Sequence, residues 1–256
     1  MVKAEGASTH LDRLYQEGCG KIRLPREADD TGATAVLINS SGGVTSGDHL
    51  AWSGEAGPGA RLTLTTQACE KLYRAMPGEN PARIDTRLTV GPGARIDWLP
   101  QESIVFDGAS AERRLDANLA EGAEILAVEA VLLGRAAMGE RVRHAHFTDR
   151  WRIRRNGHLI FADDVRFSGD IAGLTDAAAT LAGGTAYASV LLVSPRAGGL
   201  LPAARLALDE AGGASAWGGK LFCRLTAASG LELRRRLIPI LTLLRGGAPL
   251  PRAWSL

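Results

Sequence analysis

The sequence predicts a mainly β protein in which successive strand pairs stack on one another, with strands and helices mixed in its last third. Three observations predict this. One phrase recurs, as GPGARLTLTTQA from Gly57 to Ala68, GPGARIDWLPQE from Gly91 to Glu102 and AEGAEILAVEAV from Ala120 to Val131. Apolar residues alternate on both flanks of each copy. Thirty-one glycines suit a chain full of tight turns.

The repeat explains itself physically. From Gly59 to Gly93 the offset is 34 residues, and from Gly93 to Gly122 it is 29. Periods of this size mark stacked supersecondary units. In Gly57-Pro58-Gly59-Ala60 and Gly91-Pro92-Gly93-Ala94, Pro sets the second turn position and Gly takes the positive φ of the third, as a type II turn requires. Glu121 replaces Pro in the third copy. Beyond the turns Leu62 and Leu64, Ile96 and Trp98, and Ile125 and Ala127 share a face. Before them Leu50 and Trp52, then Ile84, Leu88 and Val90, then Leu115 and Leu119 do the same. Period two reads as strand, turn, strand with one buried face. One such unit cannot bury that face alone, so neighbouring copies must lie together.

In chain order, residues 1 to 34 are polar and weakly patterned, with one strand expected near Lys21–Leu24. Thr34–Asn39 is a buried strand running into the Gly-rich loop Asn39–His49. Gly42 and Gly47 mimic the start of a phosphate-binding loop, but Asp48 and His49 stand where Lys and Ser or Thr are needed, which argues against nucleotide binding. After the repeats, Phe147, Trp151 and Ile153 alternate with Arg150, Arg152 and Arg154, and Asn156-Gly157 predicts a two-residue hairpin turn. Leu159, Phe161, Val165 and Phe167 return. Thereafter the pattern predicts a short helix at Leu174–Leu181, a strand at Tyr187–Val193 and a helix at Leu200–Glu210 with Pro202 in its first turn. A strand follows at Lys220–Thr226. A last helix spans Ser229–Arg245, which Pro239 should kink or break. The whole reads as a single domain over 1–256, with a repeat-bearing β body at 34–167 and a mixed part at 170–256.

With 45% hydrophobic and 23% charged residues the chain is globular, and a net charge of +2 without a basic block argues against nucleic acid. Cys19, Cys69 and Cys223 are odd in number and form no C-x-x-C pair, which disfavours disulfides and zinc and suits the cytoplasm. No apolar h-region or membrane-length stretch is present.

Chemistry-bearing patterns are few. His144-Ala-His146 places two imidazoles on one strand face, about 7 Å apart, and imidazole suits nickel, zinc, copper or iron. Glu140 and Asp149 are the nearest acids. The plain alternative is two half-solvated histidines on a hairpin. A cupin-type site would want a carboxylate just beyond, where Arg150 and Trp151 stand. Asp163 and Asp164 point to opposite faces of a strand and cannot act together on one bond. Glu102 and Asp107 bracket a strand end and could flank a cleft. No G-x-S-x-G elbow surrounds Ser40 or Ser41, and Cys69 lacks an activating neighbour. No catalytic constellation emerges.

The phrases Asn39–His49, Thr65–Arg74, Trp98–Gly108, Gly134–Glu140, Asp149–Gly157 and Pro251–Trp254, in one order, resemble the UreD (UreH) family of urease accessory proteins. They depart mildly: Ser40-Ser41 replaces the family's usual two prolines, and His49 stands where Arg is common. The resemblance implies a two-layer β-helical, solenoid-like fold with a pair of helices. It implies no enzyme activity and no tightly bound cofactor. It implies a scaffold that joins a helical UreF-type accessory protein and a UreG-type GTPase and docks them on urease apoprotein for nickel insertion. Members are proposed to pass nickel through an internal channel, which needs weak ligands at intervals. His144, His146, Glu140, Glu102 and Asp107 are the candidate transient nickel-path residues. The competing expectation is a β-helical or cupin-like metalloenzyme using His144 and His146.

Overall fold

The computed structural model describes residues 1–25, 32–135 and 138–255. Strands β1 (Val2–Glu5), β2 (Ser8–Leu11), β3 (Gly20–Arg23) and β4 (Ala33–Asn39) lead into the repeats. β5 (His49–Ala56) and β6 (Arg61–Thr66) flank the first turn, β8 (Ala82–Val90) and β9 (Arg95–Leu99) the second, β11 (Ser110–Leu119) and β12 (Glu124–Leu133) the third. Short β7 (Glu70–Leu72) and β10 (Ser103–Val105) lie between them. The hairpin β13 (His144–Arg155) and β14 (His158–Asp170) follows. The remainder is α1 (Ile171–Asp176), β15 (Ala186–Val193), α2 (Ala197–Leu208), β16 (Gly212–Trp217), β17 (Lys220–Ala227) and α3 (Gly230–Leu244).

The fold is mainly β, in two mixed sheets, and each repeat turn carries the chain from one sheet to the other. The first sheet runs β14-β13-β11-β8-β5-β1-β2, and the second runs β16-β17-β15-β12-β9-β6-β4-β3 with β7 and β10 beside β12. Within them β5, β8, β11 and β13 are mutually parallel, as are β4, β6, β9 and β12. Leu50 pairs with Ile84 and Leu62 with Ile96, at the offset of 34; Leu88 pairs with Ala117 and Ile96 with Ile125, at the offset of 29. The sequence repeat is therefore the strand register. Gly59, Gly93 and Gly122 have φ of 69°, 64° and 68°, and each turn is closed by a hydrogen bond from the Ala N–H to the residue three before it.

Leu62, Leu64, Ile96, Trp98, Leu88, Leu115 and Trp151 meet in the layer between the sheets. A second core, with Leu126, Val128, Leu225, Leu237 and Leu241, seals α2 and α3 against the far face of the second sheet. β12 is thus buried on both faces, and from Ile125 to Leu133 its inner and outer residues are apolar alike except for the buried Glu129.

Several expectations are corrected. The weakly patterned start holds β1 and β2 as well as β3; two four-residue strands are too short to show a period. The helix predicted at Leu174–Leu181 is α1, which begins at Ile171 with Asp170 as its N-cap and ends at Asp176. α2 starts three residues early, because Gly198 and Gly199 are poor helix formers and hide it. Pro202 therefore sits inside the helix, not in its first turn. α3 is a single helix despite Pro239, held by Leu233, Leu237, Ile240, Leu241 and Leu244, all fully buried. Its N-cap is Ser229, whose hydroxyl accepts from the Glu232 N–H at 3.3 Å. β16 had no sequence signal, since GGASAW carries little β propensity. Of the Gly134–Glu140 phrase, residues 136 and 137 lie outside the described residues. Asn156 and Gly157 have φ of 49° and 80°, as the predicted hairpin turn demands.

Candidate functional site

A polar seam crosses the apolar layer between the sheets. In β11 and β13 the inward positions include Arg113 and Asp149, which are register partners. Opposite them, β12, β15 and β17 place Glu129, Ser189 and Arg224 in one row. Arg113 is buried and fully engaged. Its Nε and Nη2 donate to Asp149 Oδ1 and Oδ2 at 3.2 and 2.7 Å, and Nη1 donates to Ser103 Oγ at 2.8 Å and lies 2.7 Å from Glu129 Oε2. Indoles complete the carboxylates: Trp98 Nε1 donates to Glu129 at 2.8 Å and Trp151 Nε1 to Asp149 at 3.2 Å. Nearer the sheet edge, Arg224 donates to Ser189 Oγ at 3.3 Å and pairs with Asp163, and its half-exposed side chain brings the seam to solvent.

One guanidinium thus faces two buried carboxylates. Burial opposes the charge on Arg113, yet Asp149 and Glu129 hold it protonated. The carboxylates cannot both be fully compensated, so burial pushes Glu129 up to about 7, against the pull of Arg113. Tyr187, also buried, has a hydroxyl without a hydrogen-bond partner among the described residues, and burial followed by the field of Asp149 raises its pKa. An acid whose native pKa exceeds its unfolded value binds more protons in the folded state, so stability falls as pH rises from the unfolded to the folded pKa. Glu129 should therefore cost stability between pH 4.5 and about 7 and add no further slope above. In Glu129→Gln, urea midpoints measured across that window should lose this downward component. An identical slope in both proteins would show Glu129 ionised throughout.

The five residues singled out from sequence do not form one cluster. Glu102 is buried on the helix side of the second sheet, where Arg234 of α3 donates to both its oxygens at 3.2 Å. Cys69 Sγ approaches Glu102 Oε2 at 3.4 Å, and burial together with that carboxylate pushes the thiol up to about 11, so it is unreactive. Asp107, Glu140 and His144 share one rim of the sandwich. Asp107 accepts from the N–H groups of Arg143 and His144 at 2.8 and 3.1 Å, which overcome burial and hold its carboxyl low. Glu140 is held low by Arg135, whose Nε donates at 2.8 Å. His146 lies on the outer face of β13 with Nδ1 3.4 Å from Ser168 Oγ. No group of three or more His, Cys, Asp or Glu that could hold a metal ion occurs among the described residues.

Asp163 and Asp164 do face opposite ways: Asp163 reaches the seam, while Asp164 pairs with Arg150 and Arg152 on the outer face at 3.2 and 2.8 Å. Sequence reasoning missed Arg113, Glu129 and Ser189. Arg113 stands in the buried phase of the alternating β11, while Glu129 and Ser189 each interrupt a strand otherwise apolar on both faces.

Comparison with known proteins accounts for the full length. The family profile described as "UreD urease accessory protein" matches residues 1–255. The urease accessory protein UreD of Agrobacterium fabrum is 51% identical over 256 residues, covering 100% of this chain and 89% of its own length. That of Rhizobium etli is 53% identical over 249 residues, 97% of this chain and 90% of its own. That of Mesorhizobium japonicum is 50% identical over 252 residues, at 97% and 89%.

Proposed function

The chain belongs to the UreD urease accessory protein family, and from that membership we propose that it matures urease as a non-catalytic scaffold. The observation that carries this reading is the match along the whole chain to relatives named as accessory proteins rather than enzymes. In this reading the two sheets form a two-layer β-helical stack, a stiff single-domain platform in the cytoplasm. It holds a helical UreF-type protein and a UreG-type GTPase against urease apoprotein while nickel enters the metallocentre. No cofactor stays bound; nickel is cargo.

The rim and the seam suggest how a cation could be handled. Asp107 and Glu140 offer weak, already partnered ligands at the rim beside the His144 imidazole, with His146 on the adjoining outer face and Glu102 deeper behind the second sheet. Asp163, Glu129 and Asp149 extend the series across the interior. Each carboxylate is engaged by an arginine, so a passing divalent ion would exchange with a guanidinium rather than settle in a cage. Spaced acids already held by arginines favour transit over storage.

Co-expression of urease subunits and the other accessory proteins, with and without this chain, tests the role. Ureolysis and nickel per urease active site should both collapse without it. Equal activity in the two cultures would refute the reading.

A further inference from the structure

At the opposite end of the second sheet from β7 and β10, a recess of about 380 Å³ opens on the helix side. Its floor is the first rungs of three parallel strands. Arg61 of β6 and Arg95 of β9 are register partners, and Glu124 of β12 is the next along the same rung. Two residues further, Thr63 and Asp97 are partners on the same face. Arg196, at the turn into α2, and Arg245, at the C-cap of α3, complete the lining with Pro249.

The charges do not balance. Asp97 is held by Arg95 Nε at 2.7 Å and lies 3.4 Å from Arg245 Nε, and Glu124 is 3.5 Å from Arg95 Nη1. Two carboxylates thus answer two of the four guanidinium groups. Arg61 and Arg196 have exposed side chains with no acidic partner among the described residues. Like charges directly opposite on neighbouring strands are destabilising, and Arg61 beside Arg95 is such a pair. Four arginines from four separate elements converge where two acids are available among the described residues. Guanidinium forks suit bidentate oxyanions.

We propose that this recess is a binding site for a multivalent oxyanion, of carboxylate or phosphate type, held between Arg61 and Arg196 with the ion-paired Arg95 and Arg245 completing the positive lining. An anion of charge −2 matches the excess among the described residues, and the cavity has room for more than a single tetrahedral group. The site lies apart from the interior seam and does not depend on the urease role, so either can fail alone.

The test is isothermal titration of the full chain with pyrophosphate and with citrate at constant ionic strength. Saturable binding at about 1 mM or tighter is expected, with the stronger of the two identifying the oxyanion class. Arg61→Gln with Arg196→Gln should weaken it by about tenfold or more, while urea midpoints confirm an intact fold. Arg150→Gln with Arg166→Gln, on the outer face of the first sheet, should change nothing. Three results overturn the proposal: no saturable heat with either anion, unchanged binding in the first pair, or equal weakening in both pairs.

Discussion

Arg113→Met destabilises the protein by about 3–5 kcal/mol in urea unfolding, because it strands Glu129 and Asp149 as buried, unpaired carboxylates. The size follows from what Arg113 does: two contacts to Asp149, one to Ser103 and one to Glu129, all in the layer between the sheets. The loss is a penalty on the partners more than a bond forgone. Adding Glu129→Gln and Asp149→Asn to Arg113→Met should therefore restore a good part of the stability, since neutral amides cost far less to bury than ions. If the triple variant is as unstable as the single one, the damage is steric and the electrostatic account is wrong. A loss under about 1 kcal/mol for Arg113→Met alone would mean that water reaches the seam.

Trp254→Ala should cost a similar amount, about 3–5 kcal/mol, although it lies in the last turn of the chain. Its ring is buried, Nε1 donates to the Leu99 carbonyl at 3.0 Å, and the Arg234 guanidinium sits 5.0 Å from the ring centroid. Arg234 also binds Glu102, the Gln101 side chain and the Ala253 carbonyl, so one arginine fastens α3, the strand end and the tail together. Trp254→Phe keeps most of the volume and should recover over half of the loss. The midpoint should shift with the denaturant slope unchanged. A midpoint that barely moves in Trp254→Ala would show the tail to be an appendage.

The β body was legible because its signals agree. The Gly-Pro-Gly-Ala turns, the alternation of Leu62 with Leu64 or Ile96 with Trp98, and the Asn156-Gly157 hairpin each predict the same local structure, and the offsets of 34 and 29 predict which strands pair. What stayed hidden depends on contacts distant in sequence. No local pattern says that Arg113 meets Glu129, or that Arg61, Arg95, Arg196 and Arg245 converge. Arg113 stands in the same phase of β11 as Leu115 and Leu119, but nothing local names its partners across the layer. His144 and His146 stood out by spacing, but that spacing says nothing of the third ligand a held metal would need.

The unequal offsets have a corollary. Across the glycine turns, Ala56 to Leu62, Val90 to Ile96 and Leu119 to Ile125 are all six residues. At the far end, Leu64 to Ile84, Trp98 to Arg113 and Ala127 to Asp149 span 20, 15 and 22. Every difference in length between the repeats falls on one side of the molecule. The segments carrying Tyr73, Asp107 and Glu140 can grow without shifting the ladders of the long parallel strands, whereas one residue added to a glycine turn would swap inside for outside along the next strand. One end keeps the pitch; the other absorbs the difference in length.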